Sequence, residues 1–203
     1  MSRRLMLRNE SGTTPILPPE YQQVEWIGFG QYCYLYLGVI DWASPGFDID
    51  LLMPSWYPNQ YGPFVISGKA DNYIVFAPIA EATNFRIKGA ETSVDAILPL
   101  NTRNRVTVKN MVGNVLGESY NLQTGSATSG YLYVGLYGGT VNDRRYMFSG
   151  KIFSLDFYDG NSRTIGLIPC YRKSDGAIGM YDTISQTFFT NGGTGTFTKG
   201  ADV

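Results

Sequence analysis

Hydrophobic and polar residues alternate with a period of two in several short segments of this 203-residue chain. Such alternation is typical of a β-strand that packs one face on a core and turns the other to water. Gly and Pro interrupt the chain so evenly that a long helix is difficult to place. Only residues 90–98, ended by Pro99, have a helical pattern, and we expect at most a short helix there. The clearest strand patterns lie in residues 47–53, 85–88, 105–109 and 153–157.

Turn-forming residue pairs separate these segments. Asp, Asn and Gly favour the backbone conformations that reverse a strand. The pairs are Asp71-Asn72, Gly113-Asn114, Gly138-Gly139, Asp159-Gly160, Asp175-Gly176 and Gly192-Gly193. Short alternating strands joined by such turns predict an all-β fold, a meandering antiparallel β-sandwich.

Length and composition indicate one domain with a substantial core. The chain is 43% hydrophobic and only 16% charged, so it has ample material for a packed interior. We predict a single domain over residues 18–203. Residues 1–17 are expected to form an arm that docks on a neighbour or makes an oligomer contact.

The charge balance excludes several classes of partner. Sixteen basic and seventeen acidic residues give a net charge of −1, without a basic run that could bind phosphates, so nucleic acid is not expected. No segment approaches the roughly 20 apolar residues of a membrane span, so no membrane insertion is expected. Residues 1–9 contain three arginines but no apolar segment follows them, so no secretory signal peptide is predicted.

Histidine is absent and cysteine is rare. Without histidine, catalytic triads that need it and zinc sites built on imidazole are excluded. Cys33 and Cys170 are too far apart in sequence for a short metal-binding or redox motif. We expect two buried free thiols, and a disulfide between the first and last strands is the alternative.

Both ends of the chain resemble a known family. The opening at residues 17–27, Leu-Pro-Pro-Glu-Tyr-Gln-Gln-Val-Glu-Trp-Ile, and the closing segments at residues 168–182 and 188–200 are similar to laminin G-like, concanavalin A-like modules of phage and prophage tail proteins. Residues 148–155 resemble the last long strand of that family. The resemblance implies a lectin-like, jelly-roll sandwich. The chain departs from the family at residues 31–36, where Gln-Tyr-Cys-Tyr-Leu-Tyr replaces Gln-Tyr-Ile and a small polar turn.

The resemblance also implies a function. It predicts a non-catalytic structural module of the tail or baseplate region of a virion, made in the bacterial cytoplasm, that binds a bacterial surface glycan. Other virion subunits are the alternative partners, and a homo-oligomer is expected. A purely architectural role therefore stays open. Within the closing motif, Asp175 and Asp182 are expected to serve turns.

A glycan hydrolase is a further alternative, because the concanavalin A-like fold also hosts β-glucanases. Retaining glycosidases need two carboxyl groups about 5 Å apart. Asp48 and Asp50 form an alternating acidic pair, but Gly46 and Leu52 stand where the glucanase pattern needs further acids. We therefore predict no enzyme activity and expect both aspartates on the solvated face of a strand.

No cofactor is predicted. Calcium is considered because related lectins hold it with six to eight oxygens, many of them from loops. Asp41, Asn142 and Asp143 are loop candidates for such a site. Ordinary turns explain these residues more simply.

A proline-bounded loop at residues 54–62 is the first candidate for sugar binding. Sugar sites combine aromatic rings, which stack on the apolar face of a pyranose, with polar groups that bind its hydroxyls. The candidates are Trp56, Tyr57, Asn59 and Tyr61. The alternative is a packed loop whose Trp56 covers the end of the sandwich.

Alternating tyrosines are the second candidate. The two sets are Tyr131, Tyr133 and Tyr137, and Tyr32, Tyr34 and Tyr36. If the apolar residues between them face the core, the tyrosines form an outer surface that suits a glycan or a neighbouring subunit. The alternative is that the arm or a loop covers them.

The last candidate is the charged loop Asn142-Asp143-Arg144-Arg145. Paired arginines can hold a carboxylate, so Asn142 and Arg144 are included among the candidate sugar-binding residues. Ordinary solvation of the loop is the alternative.

Overall fold

The computed structural model describes residues 17–54, 64–68, 75–78, 84–88, 93–110, 112–121, 128–135 and 148–203. Every regular element in these residues is a β-strand. The strands are β1 (Tyr21–Gln23), β2 (Ile27–Phe29), β3 (Leu35–Trp42), β4 (Pro45–Leu52), β5 (Phe64–Gly68), β6 (Val75–Pro78), β7 (Asn84–Lys88), β8 (Ser93–Ile97), β9 (Arg103–Lys109), β10 (Val112–Val115), β11 (Glu118–Asn121), β12 (Thr128–Val134), β13 (Gly150–Asp159), β14 (Ser162–Arg172), β15 (Ile178–Asp182), β16 (Thr187–Thr190) and β17 (Thr198–Lys199).

The strands form two antiparallel sheets. The larger sheet has eleven strands in the order β11-β10-β9-β4-β13-β14-β15-β16, with β1 beside β14, β2 beside β13 and β17 beside β2. The smaller sheet has six strands in the order β3-β12-β5-β6-β7-β8. The predicted all-β antiparallel sandwich is therefore confirmed, and the arrangement is consistent with a jelly roll.

One core lies between the sheets. Leu35, Ile40 and Trp42 of the smaller sheet belong to the same buried cluster as the apolar residues of β4, β9 and β13. The ring centroids of Trp42 and Phe157 lie 5.9 Å apart across the two sheets. Each fully buried large apolar side chain contributes about 1.5–3 kcal/mol to stability. The cluster therefore makes the largest favourable contribution to the free energy of folding.

The predicted alternation is correct for most of the long strands. Phe47, Ile49 and Leu51 of β4 are buried, as are Val106 and Val108 of β9. β13 differs at one position, because the pairing with β4 shifts between Ile152 and Ser154. Phe153 lies at this irregularity and packs under the Arg103 guanidinium, 4.0 Å from it. A bulge of this kind takes one residue out of the alternating pattern.

Two local predictions are wrong. The part of residues 90–98 that the structure describes forms strand β8 where a short helix was allowed, because Ser93–Ile97 pairs in antiparallel register with β7. Pairing with a neighbour overrides a weak local preference for helix. Gly113-Asn114 lies within β10, and the chain reverses at Leu116-Gly117 instead.

Other sequence predictions have mixed outcomes. Turns occur at Asp159-Gly160 and around Asp175-Gly176, as expected.

Cys33 and Cys170 are both buried and free, and burial raises the pKa of the Cys170 thiol to about 12. The turns at Asp71-Asn72 and Gly138-Gly139 lie outside the described residues, as does the arm except for Leu17. No helix in the described part of the chain is long and apolar enough to cross a membrane.

Candidate functional site

An aromatic surface lies on the outer side of β3 and β12 in the smaller sheet. We call Tyr34, Tyr36, Val39, Tyr131 and Tyr133 the tyrosine face. Leu35, Leu132 and Val134, which alternate with the tyrosines, are fully buried in the core. Tyr131 is 53% exposed and Tyr36 is 42% exposed. The predicted outward direction is therefore confirmed for Tyr36, Tyr131 and Tyr133, and the two most exposed rings are open to solvent. Tyr32, which belonged to the predicted set, instead lies half-buried in the turn before β3.

A bulge in β3 brings Val39 onto this face. Tyr133 pairs with Tyr36, whereas Leu132 pairs with Gly38, so Leu37 has no partner in β12. Gly38 has a φ of +107°, a conformation that side-chain-bearing residues rarely adopt. After the bulge the alternation is reversed: Val39 is exposed, while Ile40 and Trp42 enter the core. Val39 lies directly opposite Tyr131.

The four tyrosine rings contact one another in a zigzag between the two strands. The ring centroids of Tyr34 and Tyr133 are 6.1 Å apart, those of Tyr133 and Tyr36 are 5.1 Å apart, and those of Tyr36 and Tyr131 are 6.2 Å apart. These are the separations of favourable aromatic pairs. Tyr133 is the central ring, and burial, with its neighbours, raises the pKa of its hydroxyl. The four rings therefore form one continuous aromatic cluster, and the central Tyr133 hydroxyl stays neutral at neutral pH.

Asn191 holds one end of the tyrosine face. Its Oδ1 accepts hydrogen bonds from the backbone N–H groups of Tyr34 (3.0 Å) and Gly193 (2.9 Å). Its Nδ2 donates to the carbonyl of Gly195 at 2.6 Å. A Cβ atom at Gly192 would come within 2.6 Å of the Tyr34 ring, so the glycine permits the close approach. The C-terminal segment thus fixes the backbone just before β3.

The aromatic rings on the larger sheet are in a different environment. Five of them lie beneath a cationic group at 4.0 to 5.6 Å. The pairs are Lys151 with Trp26, Arg103 with Phe153, Lys109 with Tyr158, Lys199 with Tyr171 and Arg172 with Phe188. Among the described residues, no cation covers a ring of the tyrosine face. These tyrosines are therefore the better candidates for stacking on a ligand.

Asp48 and Asp50 point outward from β4, but the expectation that they are solvated is wrong. Each is less than 10% exposed. Arg105 forms two hydrogen bonds to the Asp48 carboxylate, at 2.7 and 2.6 Å. Arg103 does the same for Asp50, at 2.8 and 2.6 Å. The arginines of the neighbouring strand β9 cover the carboxylates, because burying an unpaired charge is costly.

A third ion pair lies beside them. Asp156 of β13 is the register partner of Asp48, and Arg163 contacts its carboxylate at 2.6 Å. Burial raises the pKa of Asp156, and the attraction of Arg163 only partly opposes this effect. Contacts therefore connect Arg105, Asp48, Asp156 and Arg163 in this order across β9, β4, β13 and β14, with each arginine diagonal to its aspartate. All three carboxylates are engaged by arginine, which is the arrangement of a structural ion-pair network.

Asp175 and Asp182 serve turns, as the sequence predicts. Asp182 is buried and accepts hydrogen bonds from the backbone N–H groups of Gly166 (2.7 Å), Ile184 (3.1 Å) and Ser185 (3.1 Å). Asp175 binds Arg172 and the N–H of Ala177. These bonds lower the pKa of Asp175 to about 2.

The calcium candidates are not brought together. Asp41 lies in strand β3, not in a loop as expected, because the smaller sheet extends to Trp42. Asn142 and Asp143 lie outside the described residues. Within the described ranges, no group of three or more acidic or cysteine residues is placed to hold a metal ion.

Of the nine sugar-binding candidates, the structure describes Tyr131 and Tyr133, and it brings them together. The other seven lie outside the described residues: Trp56, Tyr57, Asn59, Tyr61, Tyr137, Asn142 and Arg144. Neither Val39 nor Asn191 was among the residues predicted from the sequence. The glycine before Val39 could have indicated a bulge in this strand, and the run Asn191-Gly192-Gly193 could have indicated a tight turn held by the asparagine side chain.

Comparison with known proteins supplies a likeness of fold. No family model and no curated protein matches the chain. Among solved structures, it resembles a "putative carbohydrate binding protein" from Bacteroides ovatus, with a TM-score of 0.54 and 11% identity. The match covers 90% of this chain but only 62% of the Bacteroides chain. At this identity the likeness shows the fold alone.

Proposed function

We propose that this chain is a non-catalytic, lectin-like module that binds a bacterial surface glycan on its tyrosine face. The observation that carries the proposal is the pair of exposed rings, Tyr36 and Tyr131, that no described cation covers. Aromatic rings of this kind stack on the apolar face of a sugar, and their hydroxyls bind its polar groups. The fold shared with a protein named for carbohydrate binding gives further support.

The ion pairs of the larger sheet support a non-catalytic role. Hydrolysis needs one carboxyl group that can donate a proton and a second that can act as nucleophile or base. Both oxygens of Asp48 and both oxygens of Asp50 accept hydrogen bonds from arginine. Neither carboxylate is free to reach a glycosidic bond. We therefore propose that the outer side of the larger sheet is structural.

We also propose that the module belongs to the tail or baseplate region of a phage particle. The support is the resemblance of residues 17–27 and of the closing segments to modules of phage tail proteins. Antibodies against residues 18–203 should then detect the chain in purified particles banded on a density gradient. Detection only in the soluble cell fraction, with none in particles, would contradict this assignment.

An architectural role is the second candidate, and one observation favours it. An exposed apolar group on β3 and β12 consists of Tyr36, Val39 and Tyr131, and β3 is an edge strand of the smaller sheet. Exposed apolar groups at sheet edges can also pack against another protein. In this case the neighbouring copy would occupy the tyrosine face, and no glycan could bind there.

A binding screen combined with sedimentation separates the two functions. The purified chain is tested on an array of bacterial polysaccharides, and its mass is measured by analytical ultracentrifugation with and without a bound polysaccharide. The glycan proposal predicts retention on at least one polysaccharide without a change in the oligomeric state. Stable oligomers that bind no polysaccharide, and that dissociate when Tyr131 is replaced by Ala, would favour the architectural role.

A further inference from the structure

The orientation of the rings in the tyrosine face points to the shape of its ligand. Resting on the proposed function, we infer that the face binds glycan chains whose successive sugars are inclined to one another, as in a helical chain, and discriminates against flat, ribbon-like chains. The inference deepens the proposal, because aromatic stacking by itself is compatible with either shape.

The rings that contact one another in the tyrosine face are not parallel. The planes of Tyr133 and Tyr36 meet at 35°, those of Tyr36 and Tyr131 at 45°, and those of Tyr34 and Tyr133 at 70°. The sugars of a flat ribbon present parallel faces, so a ribbon that stacks on one of these rings meets the next ring at an angle. Dispersion contacts weaken steeply as two surfaces separate, so the tilted contact contributes little.

The two exposed rings are spaced for adjacent sugars of one chain. The ring centroids of Tyr36 and Tyr131 lie 6.2 Å apart, and each side chain is about half exposed. A pyranose ring is similar in size to a tyrosine ring, so one sugar covers one ring. Two linked sugars can therefore stack on both rings only when the linkage inclines their planes by an angle similar to the 45° between the rings.

The tilt between the two exposed rings has a cause in the backbone. The bulge at Leu37 and Gly38 lies between them: Tyr36 precedes it on β3, and Tyr131 pairs with Val39, which follows it. A bulge increases the local twist of a strand pair, so residues on its two sides are rotated relative to each other. Gly38, with a φ of +107°, supplies the backbone conformation that the bulge requires.

Contacts between the rings hold the tilt. Tyr36 lies between Tyr133, at 5.1 Å, and Tyr131, at 6.2 Å, so a change in its plane would disturb its packing on both neighbours. A half-turn flip of a ring leaves its plane unchanged. A flat ribbon would have to break these ring contacts to make the rings parallel, whereas a twisted chain uses the rings as they stand.

Oligosaccharides built from the same sugar test the inference. Cellohexaose, maltohexaose and laminarihexaose are neutral chains of glucose; the first is a flat ribbon, and the other two are helical. Their affinities are measured by isothermal titration, alongside polysaccharides with flat and with helical backbones on the bacterial array. We expect the better-bound helical chain to bind at least about tenfold more tightly than the flat chain, because the flat chain loses the stacking on one of the two rings.

Single substitutions show whether the ligand uses both exposed rings. A twisted chain that stacks on both should lose about tenfold in affinity in Tyr36→Ala and about tenfold in Tyr131→Ala. A flat chain on one ring would lose affinity in only one of these variants. Tyr131→Phe is the matched control, because it keeps the ring and its plane. It should therefore keep the ratio of affinities between helical and flat chains.

The outcomes separate this inference from the proposed function. A flat chain that binds as tightly as the helical chains, in the titrations or on the array, overturns the inference and leaves glycan binding intact. The same conclusion follows if the best ligand loses affinity in only one of the two alanine variants. If no oligosaccharide and no polysaccharide of the array binds, the proposed function is overturned and this inference with it.

Discussion

Replacing Tyr36 and Tyr131 together by alanine should weaken glycan binding about a hundredfold. The two rings are the most exposed of the tyrosine face, and their centroids lie 6.2 Å apart. Each ring that stacks on a sugar contributes about 1–2 kcal/mol, so the loss of both amounts to about two orders of magnitude in the dissociation constant. Isothermal titration with the best polysaccharide from the array measures the change.

The double variant should still fold. Both side chains are about half exposed and lie outside the core, so the free energy of unfolding should fall by only about 1 kcal/mol, mainly through the lost contact with Tyr133. Tyr158→Ala is the matched control, because it removes a tyrosine from the outer side of the larger sheet, where Lys109 covers the ring. If Tyr158→Ala loses as much affinity as the double variant, or if the double variant binds as well as the unaltered chain, the glycan does not bind on the tyrosine face.

Asp182→Ala should lower the free energy of unfolding by about 3 kcal/mol. The carboxylate of Asp182 is 2% exposed and accepts three backbone hydrogen bonds. It also accepts a fourth from the Ser185 hydroxyl at 2.6 Å. Alanine would leave these donors without a partner in the connection between β15 and β16, and each buried unpaired donor costs about 1–3 kcal/mol. Urea denaturation followed by tryptophan fluorescence measures the effect.

Two further variants show whether the loss of stability in Asp182→Ala comes from the burial of its carboxylate. Asp182→Asn keeps one acceptor oxygen and should lose roughly half as much stability as Asp182→Ala. Asp175→Ala removes a similar turn contact from an exposed carboxylate and should have a much smaller effect. The contribution of the Asp175 carboxylate to the free energy of unfolding should also be lost as the pH falls toward 2, because the folded-state pKa of Asp175 is lowered to about 2. A small effect of Asp182→Ala would show that the turn forms without its carboxylate.

The alternation of residues along the chain was sufficient to predict the sandwich and much of the tyrosine face. Leu132 and Val134 enter the core, so Tyr131 and Tyr133 must point outward, and this follows from a period of two. The bulge at Gly38 could not be predicted in the same way. It depends on the pairing of β3 with β12, and it decides that Val39 and not Ile40 joins the face.

Contacts between distant segments were beyond the reach of sequence patterns. Asn191 and Tyr34 are 157 residues apart in the chain, yet they share a hydrogen bond of 3.0 Å. The arginines that cover Asp48 and Asp50 lie on β9, more than 50 residues later. A single strand shows only that its aspartates face outward. Whether water or an arginine meets them depends on which strand becomes the neighbour.

The most direct test of the account is a nuclear magnetic resonance titration of protein in which the tyrosine rings carry carbon-13. Assigned ring signals are followed while the best-binding polysaccharide from the array is added. We expect the signals of Tyr36 and Tyr131 to shift together and saturate, while those of Tyr158 and Tyr171 on the larger sheet stay in place. Saturating shifts at Tyr158 or Tyr171, with none at Tyr36 and Tyr131, would contradict the claim that the tyrosine face binds the glycan.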